Sequence, residues 1–220
     1  MTDPERLRRY WETTGAGHTF THPLDAGLLA RYVSPDARVL DYGCGYGRLT
    51  ARLAALGWSR VRGVDVSAAL VARGRAEHPG LALEHVAEPP LPYPDGAFDA
   101  ALLFAVLTCV PGERDQDRTL AELARLLRPG GVLYLSDVPL QDDEEHRARY
   151  RAARPWAEVY GTFRIPDGGV FRHQDPARLR ERLGALGFEV AEEHRDPVPT
   201  LDGRTVTRLQ LVARRGPDRP

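Results

Sequence analysis

A glycine-rich loop follows the first long apolar run of the chain. Residues 39–50 read V-L-D-Y-G-C-G-Y-G-R-L-T, so Gly43, Gly45 and Gly47 follow Asp41 at every second position. Because glycine lacks a Cβ, the backbone here can turn with positive φ and let a ligand approach closely. After the loop the apolar spacing becomes helical, and a helix N-terminus presents free N–H groups and a partial positive charge. The pattern predicts a cradle for a small molecule.

A second acidic residue ends the next apolar run. The segment R-V-R-G-V-D, residues 60–65, has the length of one strand and closes with Asp65. An acid about 20 residues after such a loop is placed to accept hydrogen bonds from both hydroxyls of a ribose. NAD and S-adenosylmethionine (SAM) both carry that ribose. Asp65 therefore indicates a nucleoside-containing ligand without choosing between these two.

Three segments, in this order along the chain, resemble the class I SAM-dependent methyltransferases. The segment D-Y-G-C-G-Y-G at 41–47 resembles their glycine loop, and L-P-Y-P-D-G-A-F-D at 91–99 resembles a turn before their fourth strand. The third, L-L-R-P-G-G-V-L-Y-L-S-D at 126–137, resembles the turn into their fifth strand, and the resemblance spans about residues 37–137. A dinucleotide fingerprint, G-x-G-x-x-G, would place the third glycine one residue later. A NAD-dependent oxidoreductase is therefore the less favoured alternative.

The resemblance also implies which residues bind SAM. In this family the acid and the glycine loop hold the methionine end of SAM, and the second acid holds the ribose. Many relatives place an acid that contacts the adenine amine where this chain has Ala87, so either Glu88 or backbone groups alone make that contact. The residues expected to contact the cofactor are Tyr10, Trp11, Asp41, Gly43, Cys44, Gly45, Gly47, Asp65, Val66, Ala87, Glu88 and Phe104.

The N-terminal segment, about residues 1–34, is expected to form a lid. Residues 4–14 have the spacing of an amphipathic helix, with Tyr10 and Trp11 among charged residues. In methyltransferases of this type the segment before the first strand commonly covers the cofactor. Plain packing against the core is the alternative for these two aromatic residues, and the sequence leaves both open.

Histidine is the residue type best suited to act as a base in such a site. The methyl group of SAM lies on an electrophilic sulfonium, so positioning alone supplies much of the acceleration and a base is not obligatory. For a hydroxyl or a carbon acid as acceptor, the candidates are His18 and His22 beside the lid and His173 further along the chain. No metal site is expected, because His18 and His22 lie four residues apart outside any helix.

The least family-like stretch, about residues 138–175, is expected to cap the acceptor. Residues 141–154 favour a helix with acids first and arginines after, which matches the helix dipole. Residues 160–173 have the pattern of two short strands around a P-D-G-G turn. In small-molecule methyltransferases an insertion here covers the active site, so the resemblance implies a small-molecule acceptor between lid and cap.

The composition of the chain limits which classes of binding partner are expected. The net charge of -1 gives no basic field that would attract nucleic acid. The sequence has no apolar run of about 18 residues and no charged-then-apolar leader, so neither a membrane span nor a signal peptide is expected. Two cysteines do not build a disulfide framework. We expect a cytoplasmic monomer or homodimer without nucleic-acid or membrane partners.

One α/β domain over residues 1–220 must position these groups. The expected fold is a Rossmann-like doubly wound sheet, mostly parallel, with an antiparallel C-terminal strand. Helices are predicted at 24–33, 115–127 and 176–186, and a closing hairpin pairs 188–191 with 206–213, before a loose tail at 214–220. A protein that binds SAM without transferring its methyl group is the alternative function, because Ala87 replaces the usual acid and no base is assignable.

Overall fold

Nine strands are present in the part of the chain that this computed structural model describes, residues 4–201 and 203–217. They are β1 (Val39–Tyr42), β2 (Val61–Asp65), β3 (Leu83–His85), β4 (Phe98–Phe104), β5 (Leu127–Asp137), β6 (Thr162–Arg164), β7 (Val170–Arg172), β8 (Phe188–Pro199) and β9 (Thr205–Arg215). Seven form one sheet in the order β3-β2-β1-β4-β5-β9-β8, and β6 with β7 forms a separate hairpin. Strands β1 to β5 are parallel, whereas β9 is antiparallel to β5 and β8. The expected sheet is confirmed.

Helices connect these strands and cover the sheet. They are α1 (Pro4–Glu12), α2 (Ala26–Ala30), α3 (Arg48–Ala55), α4 (Ala68–Glu77), α5 (Glu113–Leu126), α6 (Glu144–Ala153) and α7 (Pro176–Ala185). Four of them begin at polar caps, because the side chains of Asp25, Ser67, Asp143 and Asp175 accept hydrogen bonds from N–H groups of the first turn. Such caps satisfy donors that have no partner inside the helix.

The central strands are buried on both faces. In β1, Val39 packs in one layer with Leu49 of α3, whereas Leu40 packs in the opposite layer with Leu120 of α5. In β4, residues 100–103 are each at most 1% exposed. Burial on both faces explains why this strand is a continuous apolar run in the sequence.

The sheet has a topological switch point at its centre. Strand β1 has β2 on one side and β4 on the other, so successive connections leave in opposite directions. Ligands of open α/β sheets bind in the crevice outside the carboxyl ends of the strands at such a point. The glycine loop after β1 and the residues after β2 both open into that crevice.

The C-terminal hairpin is longer than the sequence pattern predicts. Strand β8 continues to Pro199 and pairs Pro197 with Thr207, and β9 continues to Arg215. Proline is tolerated there because β8 is an edge strand. Arg214 pairs with Val132 of β5, so the tail predicted from residue 214 onward is wrong for Arg214 and Arg215. Conversely, α2 is shorter than the predicted helix at 24–33.

The segment between β5 and α7 leaves the sheet and returns at one place. The N–H of Leu140 donates to the carbonyl of Gln174 at 2.8 Å, and the N–H of Gln174 donates to the carbonyl of Val138 at 2.8 Å. Residues 141–173, named the cap below, contain α6 and the β6–β7 hairpin. Within the described residues, no helix combines the length and hydrophobicity needed to cross a membrane.

Candidate cofactor and acceptor site

A cavity of about 860 Å³ lies at the switch point, between the sheet, the N-terminal segment and the cap. Most of the residues predicted to form the site line it: Trp11, His22, Asp41, Gly43, Cys44, Asp65, Val66, Ala87, Glu88, Phe104 and His173. Four predicted residues do not line it: Tyr10, His18, Gly45 and Gly47. The structure thus brings the carboxyl ends of β1, β2 and β4 and parts of the two covering segments around one space.

The carboxylate of Asp65 is held at the bottom of this cavity by backbone groups. Its Oδ2 accepts the N–H of Gly45 at 2.7 Å, and its Oδ1 accepts the N–H of Ser67 at 2.8 Å. Burial raises the pKa of Asp65, and these two hydrogen bonds partly offset the increase. Because each carboxylate oxygen has two acceptor sites, both oxygens keep one for a ligand. This geometry suits two neighbouring hydroxyl donors.

The glycine loop needs glycine at the positions that the pattern singles out. Gly43, Gly45 and Gly47 have φ values of 72°, 56° and 78°. A Cβ on Gly43 would lie 2.4 Å from a methyl carbon of Val106, and a Cβ on Gly45 would lie 2.2 Å from Cε2 of Phe20. Side chains at these positions would be strained and would displace neighbours from the cavity. The loop fits the cradle predicted for a closely approaching ligand.

Asp41 lies beside the glycine loop and is only 2% exposed. Its Oδ2 accepts the hydroxyl of Thr50 at 2.7 Å. Burial raises the pKa of Asp41 to about 6, although the hydrogen bond from Thr50 and the charge of Arg48 oppose this. A carboxylate in such a place is stabilised by a cationic group, which the amino end of a methionine moiety would provide. We refer to Asp41, Asp65 and residues 43–47 as the floor.

The N-terminal segment is attached to the floor through α4. Glu12 accepts the N–H groups of Ala68 and Ala69 at 2.8 and 3.0 Å, and the hydroxyl of Ser67 donates to the carbonyl of Trp11 at 2.9 Å. Glu12 therefore serves as an additional cap of α4, where its negative charge is favourable. These contacts hold α1 next to Asp65, two residues before Ser67.

Four aromatic side chains extend over the cavity, and we refer to Trp11, Phe20, Phe163 and Phe171 as the roof. Ring centroids are 6.2 Å apart for Trp11–Phe20, 6.1 Å for Trp11–Phe171 and 6.3 Å for Phe163–Phe171. Most of these contacts are edge-to-face or tilted, as is favourable for aromatic rings. The roof joins the N-terminal segment to the cap. The sequence pattern predicted the hairpin that carries Phe163 and Phe171 but gave Phe20 no role.

Tyr10 and His18 make a polar connection outside the cavity lining. The Oδ2 atom of Asp167, in the β6–β7 turn, lies 3.0 Å from the Tyr10 hydroxyl and 2.8 Å from Nε2 of His18. Tyr10 and His18 are also 3.0 Å apart. Both residues therefore join the N-terminal segment to the cap, and neither faces the space expected for the cofactor or the acceptor.

The other two histidine candidates line the cavity. Burial lowers the pKa of His22 to about 4, assisted by the positive charges of Arg208 and Arg48. His22 is therefore neutral at pH 7. The Nδ1 atom of His173 lies 2.6 Å from the hydroxyl of Tyr150, and the ring packs against Phe163 with centroids 4.7 Å apart.

Sequence reasoning missed a further histidine of the cavity. His146 of α6 lines it, is 5% exposed, and carries a buried Nε2 atom without a hydrogen-bond partner among residues 4–201 and 203–217. The sequence pattern predicted a helix over residues 141–154 but did not show which of its faces is buried. An aspartate cap three residues before a histidine, Asp143 and His146, was the available signal.

Three further predicted residues lie at the rim of the floor, whereas Phe104 is buried at the end of β4. Ala87 and Glu88 are exposed at the mouth of the cavity, and Val66 is 42% exposed. Glu88 is therefore placed where it could contact the adenine end of a nucleoside, as backbone groups also could. In the described part of the chain, no three His, Cys, Asp or Glu residues are grouped as a metal site.

Known proteins share the central part of this chain. Residues 40–135, which contain the whole floor, match the protein family described as a methyltransferase domain. Among solved structures, a SAM-dependent methyltransferase from Methanosarcina mazei superposes with a TM-score of 0.82 at 27% identity, covering 90% of this chain and 100% of that chain.

Two curated relatives are similar at the sequence level. Trans-aconitate 2-methyltransferase of Deinococcus radiodurans is 36% identical over 157 residues, which are 70% of this chain and 58% of that protein. Sarcosine/dimethylglycine N-methyltransferase of Halorhodospira halochloris is 30% identical over 198 residues, which are 86% of this chain and 64% of that protein. The chain therefore spans less than two thirds of the length of either relative.

Proposed function

We propose that the chain, whose fold is that of the class I SAM-dependent methyltransferases, transfers the methyl group of SAM to a small-molecule acceptor. The observation that carries the proposal is the carboxylate of Asp65, held by the N–H groups of Gly45 and Ser67 beside a loop of three glycines with positive φ. When bound, SAM supplies a methyl group on a sulfonium, and the by-product is S-adenosylhomocysteine. A dinucleotide would require a different glycine spacing.

The floor would bind the donor through three groups. Asp65 accepts hydrogen bonds from the two ribose hydroxyls, and the loop at 43–47 lets the backbone approach the amino-acid end. Asp41 balances the positive charge of the amino group. The adenine lies at the rim near Ala87 and Glu88, where the cavity opens.

The roof and cap would orient the acceptor and exclude water. The acceptor atom must lie in line with the bond that breaks, and holding two reactants in this way contributes several kcal/mol to catalysis. A closed apolar compartment with few polar groups is typical of small-molecule sites. The near-zero net charge of the chain also favours a small acceptor over nucleic acid.

Calorimetric titration with SAM, S-adenosylhomocysteine and NAD tests the proposed donor. We expect both sulfur compounds to bind and NAD not to bind. Binding of NAD alone would contradict the proposal and favour an oxidoreductase. Tight SAM binding together with no methyl transfer to any component of a cell extract would favour a SAM-binding protein that is not a transferase.

The Asp65→Ala variant tests the role of the ribose acid. We expect it to weaken SAM binding by about 1.5–3 kcal/mol, because a charged acceptor of two hydrogen bonds is removed. Asp36→Ala is the matched control, since Asp36 is an exposed carboxylate that, like its hydrogen-bond partner Ser34, lies outside the cavity lining. Equal SAM affinities for Asp65→Ala and the parent, with circular dichroism unchanged, would show that this role is wrong.

A further inference from the structure

His146 and Asp143 form a hydrogen-bonded pair in the cap that faces the proposed acceptor space. The Oδ1 atom of Asp143 accepts the backbone N–H of His146 at 3.0 Å, and its Oδ2 lies 2.7 Å from Nδ1 of the same histidine. His146 is buried, whereas the side chain of Asp143 is half exposed. The backbone hydrogen bond is the main reason that the pKa of Asp143 lies below its usual value.

This pair fixes the tautomer of His146. An ionised carboxylate only accepts hydrogen bonds, so the Nδ1 atom of His146 must carry a proton. In the neutral ring the proton-free lone pair is then on Nε2. That atom is buried, has no hydrogen-bond partner among the described residues, and belongs to a side chain that lines the cavity.

Helix capping accounts for only half of this arrangement. Asp143 caps α6 through Oδ1, as Asp175 caps α7 through its own Oδ1. Capping explains neither the second hydrogen bond to Nδ1 nor the burial of an unpaired Nε2. An unpaired buried polar atom is costly, and such an atom in a side chain that lines a cavity indicates a ligand that completes it when the cavity is filled.

The roof connects His146 to the cofactor end of the cavity. The ring of His146 lies 5.6 Å from that of His173, which packs on Phe163, and the roof continues from there through Phe171 to Trp11. Both the floor and His146 line the same cavity of about 860 Å³. An acceptor enclosed below Phe163 and Phe171 would therefore have the floor at one end and Nε2 of His146 at the other.

We propose that His146 is the general base of the methyl transfer, that Asp143 positions it, and that the acceptor is a phenolic hydroxyl. The inference rests on the proposed methyltransferase activity. Two ionisable rings, Tyr150 and His173, lie near His146 with ring centroids at 6.3 and 5.6 Å, and these two are hydrogen-bonded to each other. Arg149 of the same helix also lines the cavity and stacks on Phe163.

The chemistry of the base selects the acceptor class. A carboxylate is already ionised at neutral pH and needs no base, whereas an aliphatic hydroxyl, close to water in acidity, holds its proton too strongly for an imidazole. A phenol, with a pKa of about 10, lies between these extremes. Its aromatic ring also suits a compartment covered by Phe163 and Phe171.

The step is balanced without any further reactant. The phenolic O–H bond breaks and its proton goes to Nε2 of His146, while the phenolic oxygen forms a bond to the methyl carbon. The bond between that carbon and sulfur breaks, and its electron pair stays on sulfur. The products are the methyl ether, the thioether and a protonated histidine, which then releases its proton to solvent.

The test compares two acceptors of different acidity, phenol and 4-nitrophenol, using SAM with a tritiated methyl group at neutral pH. We expect His146→Gln to slow transfer to phenol by about 10²–10⁴-fold, the usual contribution of a general base. Transfer to 4-nitrophenol, which is largely ionised without help, should change little. Asp143→Asn should give a smaller loss with the same preference, since asparagine keeps the helix cap.

Two variants serve as matched controls. Asp175→Asn makes the same change at the cap of α7, and His194→Gln removes an exposed histidine that is paired with Glu192. Both should transfer to phenol and 4-nitrophenol at the parental rate. Cyclohexanol and benzoate, offered to the parent protein, should not be methylated, because cyclohexanol is too weak an acid for an imidazole base and an ionised carboxylate has no proton to donate to Nε2 of His146.

A measurement without turnover tests the pair directly. Nitrogen NMR of histidine-labelled protein should show a proton on Nδ1 and none on Nε2 of His146, and Asp143→Asn should shift this preference. A protonated Nε2 with a bare Nδ1 in the parent would overturn the assignment, and this result does not depend on any acceptor.

The outcomes separate the two proposals. Failure of SAM to bind in calorimetry would end the methyltransferase proposal itself. Normal SAM binding with equal phenol methylation by His146→Gln and the parent would overturn the role of His146. Normal SAM binding without methylation of either phenol, or with methylation of benzoate, would overturn the acceptor class.

Discussion

The floor and the roof of the cavity are built from different parts of the polypeptide. The floor consists of a glycine loop and two carboxylates, Asp41 within β1 and Asp65 at the end of the neighbouring parallel strand β2, all within residues 41–65. The roof consists of side chains from two segments more than 100 residues apart, held by ring contacts and by Asp167. The floor is thus part of the sheet, whereas the roof depends on side-chain packing that can open separately. Local opening of covering segments is common at ligand sites.

The largest expected effect comes from the roof. Phe171→Ala should lower the free energy of unfolding by about 3–5 kcal/mol, because it removes a buried phenylalanine that contacts Trp11 and Phe163. It should also raise amide hydrogen exchange in α1 and the β6–β7 hairpin above that in the sheet.

Phe98→Ala, a truncation of a buried phenylalanine in β4, is the matched control for this variant. In Phe98→Ala, amide hydrogen exchange should increase in the sheet and in the roof segments to the same extent. The same exchange pattern in both variants would show that the roof does not open as a separate unit.

The floor and the roof should also respond oppositely to pH. Burial raises the pKa of Asp41 to about 6. Between about pH 4 and pH 6 the folded chain therefore keeps a proton that the unfolded chain loses, and stability falls as pH rises through this window. At about 1.4 kcal/mol per pKa unit, Asp41 changes the free energy of unfolding by an amount on the order of 3 kcal/mol across this window.

The carboxylate of Asp167, which helps to hold the roof, makes a pH-dependent contribution to stability of the opposite sign. Burial would raise its pKa, but hydrogen bonds from Gly169, Tyr10 and His18 outweigh burial and lower it. Its contribution is therefore present above about pH 4 and is lost as pH falls. Urea unfolding from pH 3 to pH 7 should show Asp41→Asn gaining stability relative to the parent as pH rises and Asp167→Asn losing it. If the stability of both variants changed with pH in the same way as that of the parent, the opposite pKa shifts of Asp41 and Asp167 would be contradicted.

A smaller effect is expected from a methyl group on the glycine loop. Gly45→Ala should lower the free energy of unfolding by about 1–2 kcal/mol, because alanine is strained in the left-handed backbone conformation of Gly45. The displacement of Phe20 by the added methyl group should lower it further. Gly57→Ala is the matched control, since Gly57 also has positive φ but nothing lies within 4 Å of its added Cβ. Only Gly45→Ala should weaken SAM binding in calorimetry. Equal SAM affinities in the two variants would show that the positions of Phe20 and of the Gly45 N–H, which donates to Asp65, do not affect SAM binding.

The smallest expected effect concerns the polar connection between the two covering segments. Tyr10→Phe removes the hydroxyl that contacts Asp167 and His18, which is worth about 0.5–1.5 kcal/mol. Hydrogen exchange in α1 should rise by the corresponding factor of roughly 2 to 10. Tyr160→Phe, on a half-exposed side chain of the cap, should leave it unchanged. An unchanged rate in Tyr10→Phe would show that ring packing alone holds the lid.

The floor could be predicted from the sequence, and the roof could not. The floor depends on residues close together in the chain, where strand, acid and glycine spacing specify the backbone directly. The roof depends on which side of a helix or hairpin faces the cavity, and short segments leave this open. Tyr10 and Trp11 are neighbours in one predicted lid helix, yet only Trp11 lines the cavity. Likewise, the pattern around His146 is that of a charged surface helix, and only tertiary packing buries it.

The two hydrogen bonds that join Leu140 and Val138 to Gln174 make the cap a replaceable module. Since residues 141–173 leave and re-enter the sheet at one point, a shorter or longer segment can be inserted there without shifting the register of β5 or α7. Chain-closure entropy changes by only about 0.6 kcal/mol when a loop doubles in length. We therefore expect that new acceptor specificities can evolve, or be engineered, by exchanging this one segment while the proposed donor-binding floor is inherited unchanged.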